Sequence, residues 1–300
     1  MLSRLAGSVF HVGGAVERTD VVARLLDVYV ARGEPAAAEQ DRHVAAELRG
    51  VVRAAGSPDD ADRGATIEAL ALDRHEPASI ASAVAVARDD ARRAREVVST
   101  ELWDCLNVTR SRMPRKVAGD RAHEFLAWVR ERSALAIGVV ESDASRDEVW
   151  EFFTLGRSLL RSAVTGRLLA SGLLDPGSAA SWVTALRACG AGEAFRRGRD
   201  HHGTEPEEAA AFLLLDAHSP RSLRFTADRA DQCLRDVAPS CIADEVAGFA
   251  AACRSLDAVS ADTAVLAART VGQRLADAAD RVVEALDARV FAAPAPAPAA

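Results

Sequence analysis

Shifted by 143 positions, the chain matches itself. Phe10 aligns with Phe153, Gly13 with Gly156, Arg18 with Arg161, Arg24 with Arg167, and Leu25-Leu26 with Leu168-Leu169. The same shift pairs Leu70 with Leu213, Leu72 with Leu215, Asp73 with Asp216, His75 with His218, Pro77 with Pro220 and Ser79 with Ser222. Six identities in the eleven positions 70–80 stand far above the roughly one in ten expected of such an Ala-, Leu- and Arg-rich chain. Self-similarity at a fixed offset is the mark of a duplicated unit. We therefore expect one domain over 1–291, with repeat 1 at about 1–142, repeat 2 at about 143–291, and pseudo-twofold symmetry between them.

The repeated unit reads as helical. Leu2, Leu5, Val9, Val12, Val16, Thr19, Ala23, Leu26 and Val30 step by three and four residues along one helix face,. Phe10, Val22, Leu25 and Tyr29 lie off that stripe, so this helix belongs in the middle of a bundle,. A second long helix is predicted from about Ser79 to about Asn107, started by Pro77 and Ser79 and striped by Ile80, Val84, Ala87, Ala91, Ala94, Val98, Leu102 and Cys105,. Strand-like alternation is absent, so the fold class is an all-α multi-helix bundle. Arg110 to Asp120 is a basic stretch with Pro114 and reads as the loop between halves, with a shorter turn at Glu141–Ser145 before the second copy,. The Pro/Ala run 292–300 cannot bury a core and is expected to be disordered,.

Composition narrows the function. The formal charge of −7 is spread along the chain and argues against a nucleic-acid grip, which needs a concentrated basic face. Lys116 is the only lysine, so 36 of 37 basic residues are arginine, the cation best suited to forked carboxylate contacts. Five scattered cysteines without a C-x-x-C pair make a disulfide framework or zinc site unexpected,. No apolar run approaches the ~20 residues of a membrane span, and Glu17-Arg18 interrupts any secretory reading of the first residues. A soluble cytoplasmic protein is expected.

The informative residues are charges in apolar surroundings. Glu17, Asp20 and Arg24 share a face of the first helix, with Arg18 about 100° away. Charges there must be paired, because an unpaired buried charge costs several kcal/mol. One reading is an internal ionic network that fixes helix register. The other is a pocket whose arginines hold a carboxylate or phosphate, with Glu17 as acceptor or base. In the second copy Leu160 replaces the glutamate while Arg157, Arg161 and Arg167 remain. If the copies face each other, Glu17 sits among several arginines, and Asp73, Asp216 and Glu101 are the candidates to balance them.

Other features are weaker. The paired D-x-H-x-P-x-S segments, Asp73–Ser79 and Asp216–Ser222, read first as helix-to-helix turns,. Arg88, Arg92 and Arg95 form a stripe of the solvated kind, Trp103 reads as core, and Asn107 follows on the same helix,. His201-His202 lacks metal-ligand spacing. Phosphate-loop, dinucleotide, nucleophile-elbow and zinc-protease motifs are absent, so the spacing implies no cofactor and no metal.

At these residues the chain resembles the alpha-E family, bacterial all-helical proteins named for a Glu-Arg motif. The resemblance runs through MLSRLAGSVFHVGGAVERTDVVARLLDV, EPASIASAVAVARDDARRAREVVSTELWDCLN, SRDEVWEFFTLGRSLLRSAVTGRLL and LLLDAHSPRSLRF. It implies motif residues at Glu17, Arg18, Arg24, Arg88, Arg92, Glu101, Trp103, Asn107, Gly156, Arg157, Arg161 and Arg167. It also implies association with circularly permuted ATP-grasp enzymes and transglutaminase-like proteins, a setting of peptide-bond formation or modification. Gly7, His11 and Gly14 depart from the acidic, aromatic and arginine residues usual there, and Leu160 removes the second glutamate.

Three functions follow as expectations. The leading one is a non-catalytic helical partner or substrate-binding scaffold for an ATP-grasp amide-bond-forming enzyme, with a peptide-like or anionic ligand. The second is an enzyme acting on a peptide-like or amino-acid carboxylate through a buried Glu17–arginine cluster, which requires a roomy pocket touching Glu17, Arg18 and Arg161. The third is an oligomerisation module carrying a large exposed apolar face.

Overall fold

The computed structural model describes residues 1–32, 38–55, 62–197, 204–237 and 240–292. Among them are thirteen α-helices and no strand. The first half contributes α1 (Ser3–Ala31), α2 (Ala38–Val52), α3 (Arg63–Leu72), α4 (Ile80–Arg93), α5 (Thr100–Ser111) and α6 (Ala122–Asp143). The second contributes α7 (Glu148–Ala170), α8 (Ala179–Cys189), α9 (Gly192–Arg197), α10 (Pro206–Leu215), α11 (Leu223–Val237), α12 (Ala243–Arg254) and α13 (Ala264–Ala285), followed by a π-helical turn, Leu286–Val290. Shifted by 143 positions, α3 and α5 coincide with α10 and α12 end to end, and α4 starts where α11 does.

α1 and α7 are the axis of the bundle. Both are buried along most of their length, as expected of helices apolar on several sides,. α4 and α6 pack on α1, while α11 and α13 pack on α7. The two central helices cross with backbones in direct contact. A Cβ on Gly13 would overlap the Phe153 carbonyl, and one on Gly156 would overlap the Phe10 carbonyl. Only glycine at both positions allows that approach. Apolar side chains then fill two clusters, one around Phe153, Trp182, Phe249 and Leu275, the other around Leu26, Leu70, Ile80 and Leu126.

The predicted helix over Ser79–Asn107 is two helices. α4 stops at Arg93, and Ser99 restarts the chain as the N-cap of α5 by accepting from the Leu102 amide at 3.1 Å. The β-branched run Val97-Val98 before a serine cap favours that restart. α6 continues to Asp143, so the turn expected at Glu141–Ser145 begins three residues later, at Ala144, and the expected loop at Arg110 begins only after Ser111.

The two D-x-H-x-P-x-S segments are turns that cap the next helix. The Asp73 and Asp216 carboxylates accept the amides of His75 and His218, each at 2.8 Å. The Ser79 and Ser222 hydroxyls donate to the carbonyls of Asp73 and Asp216. Each then accepts an amide of the following helix, from Ser82 at 2.9 Å and Phe225 at 3.1 Å. All five cysteines are free. His201-His202 and the tail from residue 293 lie outside the described residues.

Candidate functional site

The charged residues picked from sequence do not form one cluster. They separate into a packed ionic network, an open cavity, and positions remote from both.

The network lies on the α1–α7 crossing. Glu17 is completely buried, and Arg161 grips its carboxylate in a fork, Nε to Oε1 at 2.6 Å and Nη2 to Oε2 at 2.6 Å. The remaining Arg161 Nη1 donates to the Pro220 carbonyl at 2.7 Å. Arg157 lies 3.6 Å from Glu17 and 3.7 Å from Glu141. One turn along α1, Asp20 accepts from Arg24 Nε at 2.9 Å and from Arg221 Nη1 at 2.7 Å. Burial alone would raise the Asp20 pKa. Arg221 and Arg24 outweigh it and hold this carboxyl well below the usual range,. The expected counter-charges are therefore corrected. Asp73 and Asp216 are spent in turns and Glu101 is exposed on α5, while Glu141 and Asp20 balance the arginines.

Arg18 points elsewhere. It lines a partly open cavity of about 340 Å³ bounded by α1, α7, α13, the start of α4 and the end of α2. The walls are mostly apolar, from Phe10, Ala83, Leu159, Leu160 and Val283. Arg167 shares the floor, but its Nη1 binds Asp280 at 2.9 Å and its Nε binds the Val51 carbonyl at 2.8 Å. At the mouth Arg53 reaches Asp280 at 3.1 Å and Glu284 at 4.0 Å. Arg53 is also held at φ 55°, the left-handed region that a residue with a side chain seldom adopts,. Arg18 alone has no hydrogen bond or ion pair with any described residue. Burial, then Arg167, lowers its pKa, against the opposing charges of Asp280 and Glu76; guanidinium nevertheless stays charged. The pocket expected to touch Glu17, Arg18 and Arg161 thus touches Arg18 only.

His11 lines the cavity rim and bonds Asp287 through Nε2 at 2.8 Å, with Asp90 at 4.0 Å from Nδ1. Phe291 packs on the rings of Phe10, His11 and Phe152 and fills the space beside Gly7.

The α4–α5 residues stand apart from these two sites. Arg88 donates to Asn107 at 3.4 Å and, with Arg95, covers the half-buried Trp103 ring, which is therefore less enclosed than a core residue. Arg92 is exposed. Sequence reasoning missed Arg221, Asp280, Arg53 and Glu284. Two signals were available, the mismatch of Arg221 with Ala78 inside the best-matched segment and the identity of Glu141 with Glu284 at the repeat offset.

Among the described residues no cluster of His, Cys, Asp and Glu could hold a metal ion, and no helix is long and apolar enough to cross a membrane. Burial pushes the Cys189 thiol, close to Arg221, up to about 11, so it stays protonated,. No curated protein and no solved structure matches the chain. The family comparison does match: with residues 1–290 covered, the chain belongs to the Alpha-E family, described as a predicted alpha-helical domain with a conserved ER motif.

Proposed function

We propose that this chain is a helical binding scaffold serving an ATP-grasp-type amide-bond-forming or peptide-modifying system in the cytoplasm. Its role is to hold an anionic, peptide-like ligand rather than to transform it. The carrying observation is the division of labour between adjacent residues. Glu17 is consumed in a fork with both oxygens occupied, while Arg18 presents an uncommitted guanidinium to a cavity. A general base needs an open approach to its substrate, and Glu17 lines no part of that cavity. A half-buried guanidinium with no hydrogen bond or ion pair to a described residue, on which Asp280 and Glu76 act only at longer range, is open to an anion,.

We also read the two halves as copies of one ancestral unit. Matching helix positions, matching turn bonds and the reciprocal contacts of Gly13 and Gly156 support that reading. In an arrangement with a twofold, residue i meets j while j meets i. The exposed large apolar residues are Met1 and Leu2 ahead of α1 and single residues on five helices, Val86, Val108, Leu135, Val183 and Leu266, so no one helix presents an apolar face for oligomerisation.

The test is capture with the full chain co-expressed beside the ATP-grasp enzyme of its host. Retention of that enzyme, together with faster ATP-dependent amide formation when the scaffold is added, supports the proposal. Lack of retention and an unchanged rate overturn it.

A further inference from the structure

The cavity and the ionic network occupy corresponding places in the two halves. At the 143-residue offset Arg18 corresponds to Arg161, Pro77 to Pro220 and Glu284 to Glu141. In the network Arg161 forks the Glu17 carboxylate and donates to the Pro220 carbonyl, with Arg157 beyond. Around Arg18 the cavity is lined by Pro77, Glu284, Leu160 in the place of Glu17, and Gly14 in the place of Arg157. One side is filled from within the chain; on the other, leucine and glycine stand where the forked carboxylate and the second arginine would be.

We propose that the cavity takes a monocarboxylate with an apolar body, its carboxylate seated on Arg18 as Glu17 is seated on Arg161. This rests on the reading of the cavity as a binding site and specifies its ligand. Arg167 is paired with Asp280, and Arg53 with Asp280 and Glu284; the charges of Asp280 and of Glu76, itself held by the Ala55 and Ala78 amides, act on Arg18 without a hydrogen bond or ion pair to it. What stands open is one guanidinium fork, which suits a carboxylate. A phosphate brings ≈ −1.5 to −2 and more acceptor oxygens than one guanidinium can serve. The apolar walls take the ligand's side chain, and about 340 Å³ lies at the small end of ligand sites. The carboxylate has two chemical sources, a free amino acid or the C-terminal residue of a peptide.

The test is titration of the full chain with N-acetyl-L-leucine, N-acetyl-L-leucinamide, L-leucine and inorganic phosphate, followed by NMR or calorimetry. Binding of acetyl-leucine, with its amide weaker by roughly tenfold or more, supports the inference. Binding restricted to the acetylated form assigns a peptide terminus, and equal binding of L-leucine assigns a free amino acid. Preference for phosphate, or equal affinity for acid and amide, overturns the ligand class but leaves partner capture untouched, so the two failures are separable. Leu160→Glu supplies the carboxylate from within; it is expected to abolish acetyl-leucine binding and raise the thermal midpoint. Undiminished binding by a folded Leu160→Glu refutes the correspondence. Should that variant not fold, Arg18→Lys, which keeps the charge and loses the fork, is expected to bind several-fold more weakly, and unchanged affinity refutes the role of Arg18.

Discussion

Adjacent residues Glu17 and Arg18 are expected to respond unequally to the same kind of substitution. In Glu17→Gln the carboxamide keeps one acceptor for Arg161, but its NH₂ faces a guanidinium that can only donate, so one of the two 2.6 Å bonds becomes a donor–donor contact,. Arg161 and Arg157 also lose the anion between them. Removing one partner of a buried pair costs about 3–5 kcal/mol. With an unfolding entropy near 2.1 cal/mol/K per residue over residues 1–290, each kcal/mol moves the thermal midpoint by about 1.6 °C. Glu17→Gln should therefore lower it by about 5–8 °C. Arg18→Gln breaks no bond to a described residue, and the desolvation it relieves is set against the lost pull of Asp280 and Glu76, so its midpoint should stay within about 1 °C of wild type. Calorimetry of both variants with urea unfolding as a cross-check measures the difference. Equal losses would show that Arg18 is a packing element, and the cavity reading would fall with that result.

Further outcomes follow from the same geometry. Asp20 has a depressed pKa in the folded state, so its contribution is present above the unfolded value near 3.9 and is lost as pH falls. Asp20→Asn should flatten the acid limb of the stability–pH profile, and an unchanged limb would count against the Arg221–Asp20–Arg24 linkage. The hydrogen bond to Asp287 raises the His11 pKa against an opposing burial effect. That contact should stabilise the Leu286–Val290 turn below about pH 6.5 and weaken as pH rises through the folded value, which faster amide exchange there would report. Gly13→Ala drives a methyl into the Phe153 carbonyl and should cost about 3 kcal/mol or more,. Gly14→Ala meets only the Gly156 carbonyl, at 3.6 Å, and should gain up to about 1 kcal/mol of helix propensity,; comparable midpoints for the two would refute the close crossing.

Helical character and the buried first helix were readable because the three-and-four spacing of apolar residues is a direct consequence of helix geometry. The corner between α4 and α5 was hidden because its own residues, Ala94 and Val98, are buried and continue the stripe. Periodicity registers burial, and a buried corner looks like more helix; the Ser99 cap was the signal to weigh instead. The contact of Glu17 with Arg161 was expected on the condition that the two matching segments face each other, and their backbones do meet at Gly13 and Gly156. The second partner of Asp20 and the partner of Arg167 were not foreseeable, since Arg221, in the turn before α11, and Asp280, on α13, arrive from far along the chain and no local spacing encodes which cation meets which carboxylate. Asp73 and Asp216 looked like a motif for a different reason. A capping turn needs an acceptor, a proline and a serine at fixed offsets, which is the pattern a site would leave.

The contrast between the halves also bears on why Arg18 is where it is. Arg161 is matched by Glu17 and a backbone carbonyl, so its burial is offset. Arg18 has no such fork or carbonyl, only the longer-range charges of Asp280 and Glu76 against its desolvation, and a residue as apolar as Leu160 at that place would cost the fold less. A chain satisfying packing alone would fill the cavity or neutralise the cation, and the other half shows that this scaffold can do so. Local conflicts of this kind are expected where a site is held ready for something else. The stability lost at Arg18 should therefore return when a carboxylate binds. Saturating acetyl-leucine should raise the wild-type midpoint and leave that of Arg18→Gln where it is, because ligand linkage stabilises only a state that binds. An equal rise in both proteins would place the ligand elsewhere.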